Sequence, residues 1–148
     1  MNRLLPLVLS VFIPFTALAQ DADAPVEDDV IQPAGDSDLS EFLWIFRPIV
    51  VFSDTPADPR FSEQIDNLRA EMAELTERDV VVLTDSDPAA RSPLRKKLRP
   101  RGFQLVLVGK DGRVYLRKPH PWSVREITRS IDKSPDRQRE IEERRGDG

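Results

Sequence analysis

Continuously apolar runs alternate with helical stripes along this chain, and their order predicts an α/β domain. Ile49, Val50, Val51 and Phe52 form an unbroken β-branched and aromatic run. Such a run suits a strand buried on both faces. A polar turn from Ser53 to Pro59 follows, and then the period changes: Phe61, Ile65, Leu68, Met72 and Leu75 recur at steps of four, three, four and three. That spacing places one apolar stripe on a helix beginning at Arg60, with Asp58 or Ser62 placed to cap it. Val80 to Leu83 predict a second buried strand, closed by "TDSDP". A single crossover helix between two buried strands is what parallel pairing requires.

Leu94 and Leu98 lie four apart and predict a short helix that Pro100 and Gly102 end. Phe103 to Val108 and Val114 to Leu116 then read as an antiparallel hairpin around "GKDG", where Asp111-Gly112 supplies the left-handed backbone of the turn. Ser123 and Glu126 have the spacing of a capping box, and Val124, Ile127 and Ile131 give its helix one apolar face. Pro135 is expected to stop that helix. Beyond it, Asp136 to Gly148 has only Ile141 as a strongly apolar side chain, which predicts a charged helix, frayed, or a solvated tail. Leu39 to Phe46 predicts a helical turn packed on the domain or the lead into the first strand, with Trp44 at the edge of the core. The sum is an α/β fold with a mixed four-stranded sheet and flanking helices, over residues 39–134.

The N-terminus changes the picture of where this domain works. Asn2 and Arg3 precede the apolar stretch "LLPLVLSVFIPF", and Ala17-Leu18-Ala19 has the small-x-small pattern of a cleavage site. Residues 1–19 therefore read as a signal peptide cleaved before Gln20, and the protein as periplasmic or secreted, with no transmembrane segment after cleavage; the alternative is an uncleaved membrane anchor, against which stand the short span and its two prolines. Gln20 to Asp38 holds seven acidic residues and no basic ones, and reads as an extended, disordered acidic linker. Across the chain 22 basic residues face 26 acidic ones, for a net charge of −4. That balance argues against generic nucleic-acid binding.

The chain has no cysteine. Disulfides, thiol exchange, a peroxidatic cysteine and a cysteine-ligated metal are thereby excluded, and the core must supply stability unaided. Other candidate chemistry is sparse. Asp54, Thr55 and Asp58 occupy the turn after the first strand, where they bind or polarise something or simply cap the next helix. His120 is the only histidine and cannot by itself build a multi-histidine metal site. No catalytic residue, metal site or cofactor is predicted. Arg91, Arg95, Lys96, Lys97, Arg99 and Arg101 put six basic residues into eleven positions. With Leu94 and Leu98 docked, their charges point outward, either as a solvated helix face neutralised by the protein's own acidic linker or, with Arg60, as a surface for an acidic protein or a polyanion.

"RPIVVFSDTPADPR", "ERDVVVLTDSD", "FQLVLVGKDGRVYLRKPHPWS" and "IDKSPDRQREI" resemble the bacterial domain numbered 4174 among the domains of unknown function. That domain also occurs in vertebrate secreted matrix proteins with sushi repeats and in a related coiled-coil secreted protein. The resemblance runs from about Phe42 to Glu142 and rests on Arg47, Pro48, Arg60, Arg78, Asp79, Gly109 to Gly112 and Arg117. It implies a thioredoxin-like fold without a catalytic cysteine pair and no established enzyme activity. The family's methionine–proline–methionine–arginine run reads Ser134-Pro135-Asp136-Arg137 here. Thioredoxins carry their redox pair in the turn that corresponds to Ser53 to Pro59. The expectation is a binding module without redox chemistry. Its rivals are a small hydrolase or anion-binding enzyme using Asp54, Thr55 and Arg60, and a structural envelope component.

Overall fold

A computed structural model describes residues 30–148; the expected signal peptide (1–19) and the first ten residues of the expected acidic linker (20–29) lie outside the described residues. The strands are β1 (Ile31–Pro33), β2 (Arg47–Phe52), β3 (Val80–Asp85), β4 (Gln104–Val108) and β5 (Val114–Lys118). They form one mixed sheet in the order β1-β3-β2-β4-β5. β3 runs parallel to both β1 and β2, while β2–β4 and β4–β5 are antiparallel. The helices are α1 (Pro59–Ala70), α2 (Met72–Thr76), α3 (Pro93–Leu98), α4 (Val124–Asp132) and α5 (Pro135–Gly146).

Period-two alternation in the central strands divides the core into two layers. Ile49, Val51, Val80, Val82, Leu105 and Leu107 face α1, α2 and α4 through Leu68, Leu75, Ile127 and Ile131. Val50, Phe52, Val81, Leu83, Val106 and Val108 face the other way, onto Leu94 and Leu98 of α3 and onto Ala34 and Leu39. Both faces of β2 are covered, which is why its sequence is apolar without interruption. Each fully buried aliphatic side chain contributes about 1.5–3 kcal/mol relative to exposure.

Local chemistry sets the element ends. The Asp58 side chain accepts from the Arg60 N–H and caps α1, with Pro59 at the first helical position. The stripe from Ile65 to Leu75 is buried as its spacing predicts, but the helix is broken at Glu71 (φ −130°, ψ 40°) into α1 and α2. Ser123 and Glu126 form the expected capping box at α4. Gly112, at φ +81°, closes the hairpin in the left-handed region, and the Gly109 N–H donates to the Arg113 carbonyl.

Three expectations are corrected. The acidic linker does not extend to Asp38 as disordered chain: Ile31–Pro33 is the fifth strand, and the Val82 N–H donates to the Val30 carbonyl at 2.8 Å. Val30 and Ile31 are neighbouring apolar residues in that acidic stretch, and both pack against the core. Trp44 does not fill the core edge; it is 74% exposed, at φ 65°. Pro135 ends α4 but opens α5 at its first position, and α5 is docked, neither frayed nor solvated throughout. Arg137 on it is buried.

Candidate functional site

The turn after β2 uses its polar groups locally. Ser53 is buried and donates its hydroxyl to the Thr55 carbonyl at 2.9 Å, while Thr55 Oγ1 accepts from the Ala57 N–H. Asp54 and Thr55 are exposed. Asp58 is paired with Arg60 through contacts of 3.1 and 2.8 Å, and this hydrogen bonding holds its carboxyl below the usual range. The Arg60 guanidinium sits 5.6 Å from the centroid of Phe103. His120 is exposed between the end of β5 and α4. Three cavities open on the surface elsewhere, and none takes a wall from Asp54, Thr55, Asp58, Arg60 or His120. Among the described residues, no three His, Asp or Glu side chains come together to hold a metal.

The basic cluster divides in two. Arg95 departs from the expected outward arrangement: its side chain is only 11% exposed. Its Nε donates to Asp85 Oδ1 at 2.9 Å, its Nη2 donates to the Ser53 carbonyl, and the guanidinium lies 5.4 Å from the centroid of Phe52. The end of β3 requires this, because Asp85 is a buried carboxylate satisfied, among the described residues, by Arg95, Ser92 and the Asp87 N–H. Arg91, Lys96, Lys97, Arg99 and Arg101 remain exposed, and none forms an ion pair with a described residue. Lys97 donates to the Asp38 carbonyl at 3.1 Å. Arg91 and Arg99 hold left-handed backbone at the two ends of α3's segment.

A second charged constellation lies at the start of β2, and sequence reasoning missed it. Arg47 is 2% exposed and donates to Asp136 at 2.9 Å, to both oxygens of Glu140 at 2.9 and 3.3 Å, and to the Arg78 carbonyl. Lys110 bridges Asp79 and Glu140 at 2.8 and 2.9 Å. Arg78 grips both oxygens of Asp132. Burial alone would disfavour the charge on Glu140, but hydrogen bonds from Arg47 and Lys110 outweigh it and lower the carboxyl from 4.5 to about 2. Asp136 follows the same logic: burial opposes its charge, and hydrogen bonds from Arg47 and Tyr115 help to prevail over it. The Arg137 Nε is buried here without a hydrogen-bond partner among the described residues. Arg47, Arg78, Asp79 and Lys110, all positions that carry the family resemblance, thus converge on α4 and α5. The visible signal was the spacing of Asp136 and Glu140, one helical turn apart; their partner Arg47 is 89 and 93 residues away in sequence.

Beside this network a groove of about 610 Å³ runs between the β4–β5 hairpin and α5, walled by Trp44 and Tyr115 together with Arg113, Arg139, Asp136 and Glu140. Trp44 is held there by its backbone N–H, which donates to the Lys110 carbonyl at 2.8 Å.

Sheet order and helix placement define a thioredoxin-like α/β fold. Residues 38–140 match the model of the domain of unknown function DUF4174, and the chain belongs to that family. Among solved structures it is similar to Trxlp from Edwardsiella tarda EIB202, at 16% identity and a TM-score of 0.55, covering 68% of this chain and 97% of that one. It is also similar to the reduced 2-Cys peroxiredoxin of Plasmodium vivax, at 16% identity and a TM-score of 0.53, covering 64% of this chain and 80% of that one. At such identities the likeness is one of fold alone. No curated protein matches the chain. Without a cysteine, thiol chemistry of the kind the peroxiredoxin's name declares has no nucleophile here. No helix among the described residues is long and apolar enough to cross a membrane.

Proposed function

We propose that this protein is an exported binding module that uses a thioredoxin-like scaffold, without thiol chemistry, to engage an acidic protein or a polyanion. The observation that carries this reading is the exposed ridge of Arg91, Lys96, Lys97, Arg99 and Arg101, none of them paired with a described carboxylate. Arg95, in the middle of the same cluster, is neutralised by Asp85. A protein with an excess of acidic residues that leaves five cations without an ion pair to any described residue on one short segment presents a local positive field toward a partner. The turn after β2 supports the reading from the other side, since its hydroxyls and Asp58 are engaged by neighbouring groups. The N-terminal pattern supports export.

The test measures binding of the chain from Gln20 onward to fluorescent polyglutamate and to polyphosphate, across a salt series. The comparison is a variant with Arg91, Lys96, Lys97 and Arg99 all changed to glutamate and Arg95 left in place. Salt-sensitive binding by the parent, lost in the folded variant, supports the module and locates its face. Equal binding by both removes the ridge from the proposal, and no binding by either ends it. N-terminal sequencing of the protein recovered from a periplasmic fraction tests export, with Gln20 as the expected first residue.

A further inference from the structure

The groove at the hairpin carries an inference separate from the basic ridge, with which it shares no residue. Leu43, Trp44, Ile45 and Phe46 are four consecutive large apolar side chains, and all are exposed. Val114 and Tyr115 on β5 are exposed as well. These are not scattered positions. Trp44 and Tyr115 wall the same groove, and a Cβ on Gly112 of the hairpin would meet the Leu43 side chain at 2.9 Å. Single exposed apolar residues are ordinary, whereas a contiguous set with a polar rim marks an interaction site. The backbone adds a second observation. Trp44 sits in the left-handed region at φ 65°, where a large side chain is disfavoured, and the result is a tryptophan turned outward. Core packing does not account for that cost.

Charge selects the occupant. Three carboxylates wall the groove: Asp136 is engaged by Arg47 and Tyr115, Glu140 by Arg47, Lys110 and Arg137, and Asp111 accepts from the Arg113 backbone N–H at 3.0 Å. The guanidinium groups are held less closely. Arg113 is 87% exposed, its ion pair with Asp111 a long contact of 3.9 Å, and exposed Arg139 forms no ion pair with a described residue. What faces solvent is therefore an aromatic cleft with two exposed guanidinium groups in its wall. We infer that this groove is a docking site for an extended acidic peptide segment, taking an aromatic or aliphatic side chain between Trp44 and Tyr115 and flanking carboxylates on Arg113 and Arg139. A buried aromatic anchor and bidentate arginine contacts are the elements that concentrate binding energy in such interfaces.

The experiment uses the chain from Gln20 onward and the hexapeptide DFELDF-amide with fluorescein on its N-terminus, read by anisotropy. Controls are the same peptide with lysine at every acidic position and a hexaglutamate with no apolar side chain. The acidic apolar peptide is expected to bind at least tenfold more tightly than either control. Trp44→Ala is expected to weaken it at least tenfold, as is the double variant Arg113→Glu/Arg139→Glu; all of these positions are exposed, and circular dichroism verifies the fold. The fourfold ridge variant is expected to bind this peptide with unchanged affinity. Equal binding of the lysine peptide, or unaltered affinity in both groove variants, overturns the inference. So does a concentration-dependent dimer of the parent that Trp44→Ala dissolves and the peptide does not, because a second copy is then the occupant. Loss of binding in the ridge variant alone assigns the peptide to the other surface and likewise overturns it.

Discussion

Arg47 is the residue around which one end of the molecule is organised. A guanidinium at 2% exposure survives only with compensating charge, and Asp136 and Glu140 supply it at 2.9 Å each. The partners are not equally trapped, being 25% and 20% exposed. That asymmetry makes a prediction. Changing both carboxylates, Asp136→Asn with Glu140→Gln, strands a buried cation and is expected to cost about 3–5 kcal/mol. Arg47→Met removes the cation instead, and the two carboxylates turn to water and Lys110, so it is expected to cost less. Urea unfolding of the three proteins at neutral pH checks the order. A larger loss for Arg47→Met would mean that the Arg78 carbonyl and the packing of the arginine stem matter more than the charge pair. Arg95 is the contrasting case, because its charge is consumed by Asp85, a residue of the neighbouring strand, and so is withdrawn from the surface ridge.

At the scale of elements, α5 is the segment whose attachment depends on ionisation. It carries little apolar surface, and its anchors are Asp136, Arg137 and Glu140. Glu140 has a folded-state value of about 2 against an ordinary 4.5, and Asp136 and Asp132 are lowered in the same sense. A carboxyl depressed in the folded state binds fewer protons there than in the unfolded chain. Its stabilisation is complete above 4.5 and drains away as pH falls toward about 2. The urea midpoint is therefore expected to drop steeply between about pH 5 and pH 2, and Glu140→Gln to make that acid limb shallower. Identical limbs would show that α5 is held by something else. The same element marks the limit of sequence legibility. Period-two and period-four patterns are local, so β2 to β5, α1, α4 and the capping box were readable from residues a few positions apart, whereas three-residue β1 was not. The docking of α5 is a pairing of Arg47 with Asp136 and Glu140, 89 and 93 residues away, and a charged run offers no local cue that distinguishes a docked face from a solvated one. Trp44 escaped for the opposite reason: hydrophobicity predicts burial, and a binding surface is where that rule gives way.

For the molecule as a whole, β1 is the element that converts a four-stranded expectation into a closed edge. Without it, β3 would present Val82, Leu83 and Thr84 as an unpaired border, continuous with a sheet that is apolar on both faces. Such an edge is a template for pairing with another chain. β1 covers it with three residues, ends in Pro33, and is continued by the Ala34 N–H donating to the Thr84 carbonyl at 2.9 Å. Proline at the rim of a sheet withholds a donor from further strands. The strand therefore adds both stability and protection, and the two effects can be separated. A chain beginning at Gly35 loses the β1 ladder and the packing of Val30 and Ile31 on the core, and is expected to be about 2–4 kcal/mol less stable in urea. It is also expected to self-associate with rising concentration by light scattering. In that shortened chain, Thr84→Lys sets a charge on the bared edge and is expected to suppress association while leaving the stability loss in place. If the short chain stays monomeric with its full stability, β1 is ornamental and the border of this fold lies at β3. If it is weakened but monomeric, the valine-rich edge is protected by something other than its neighbouring strand.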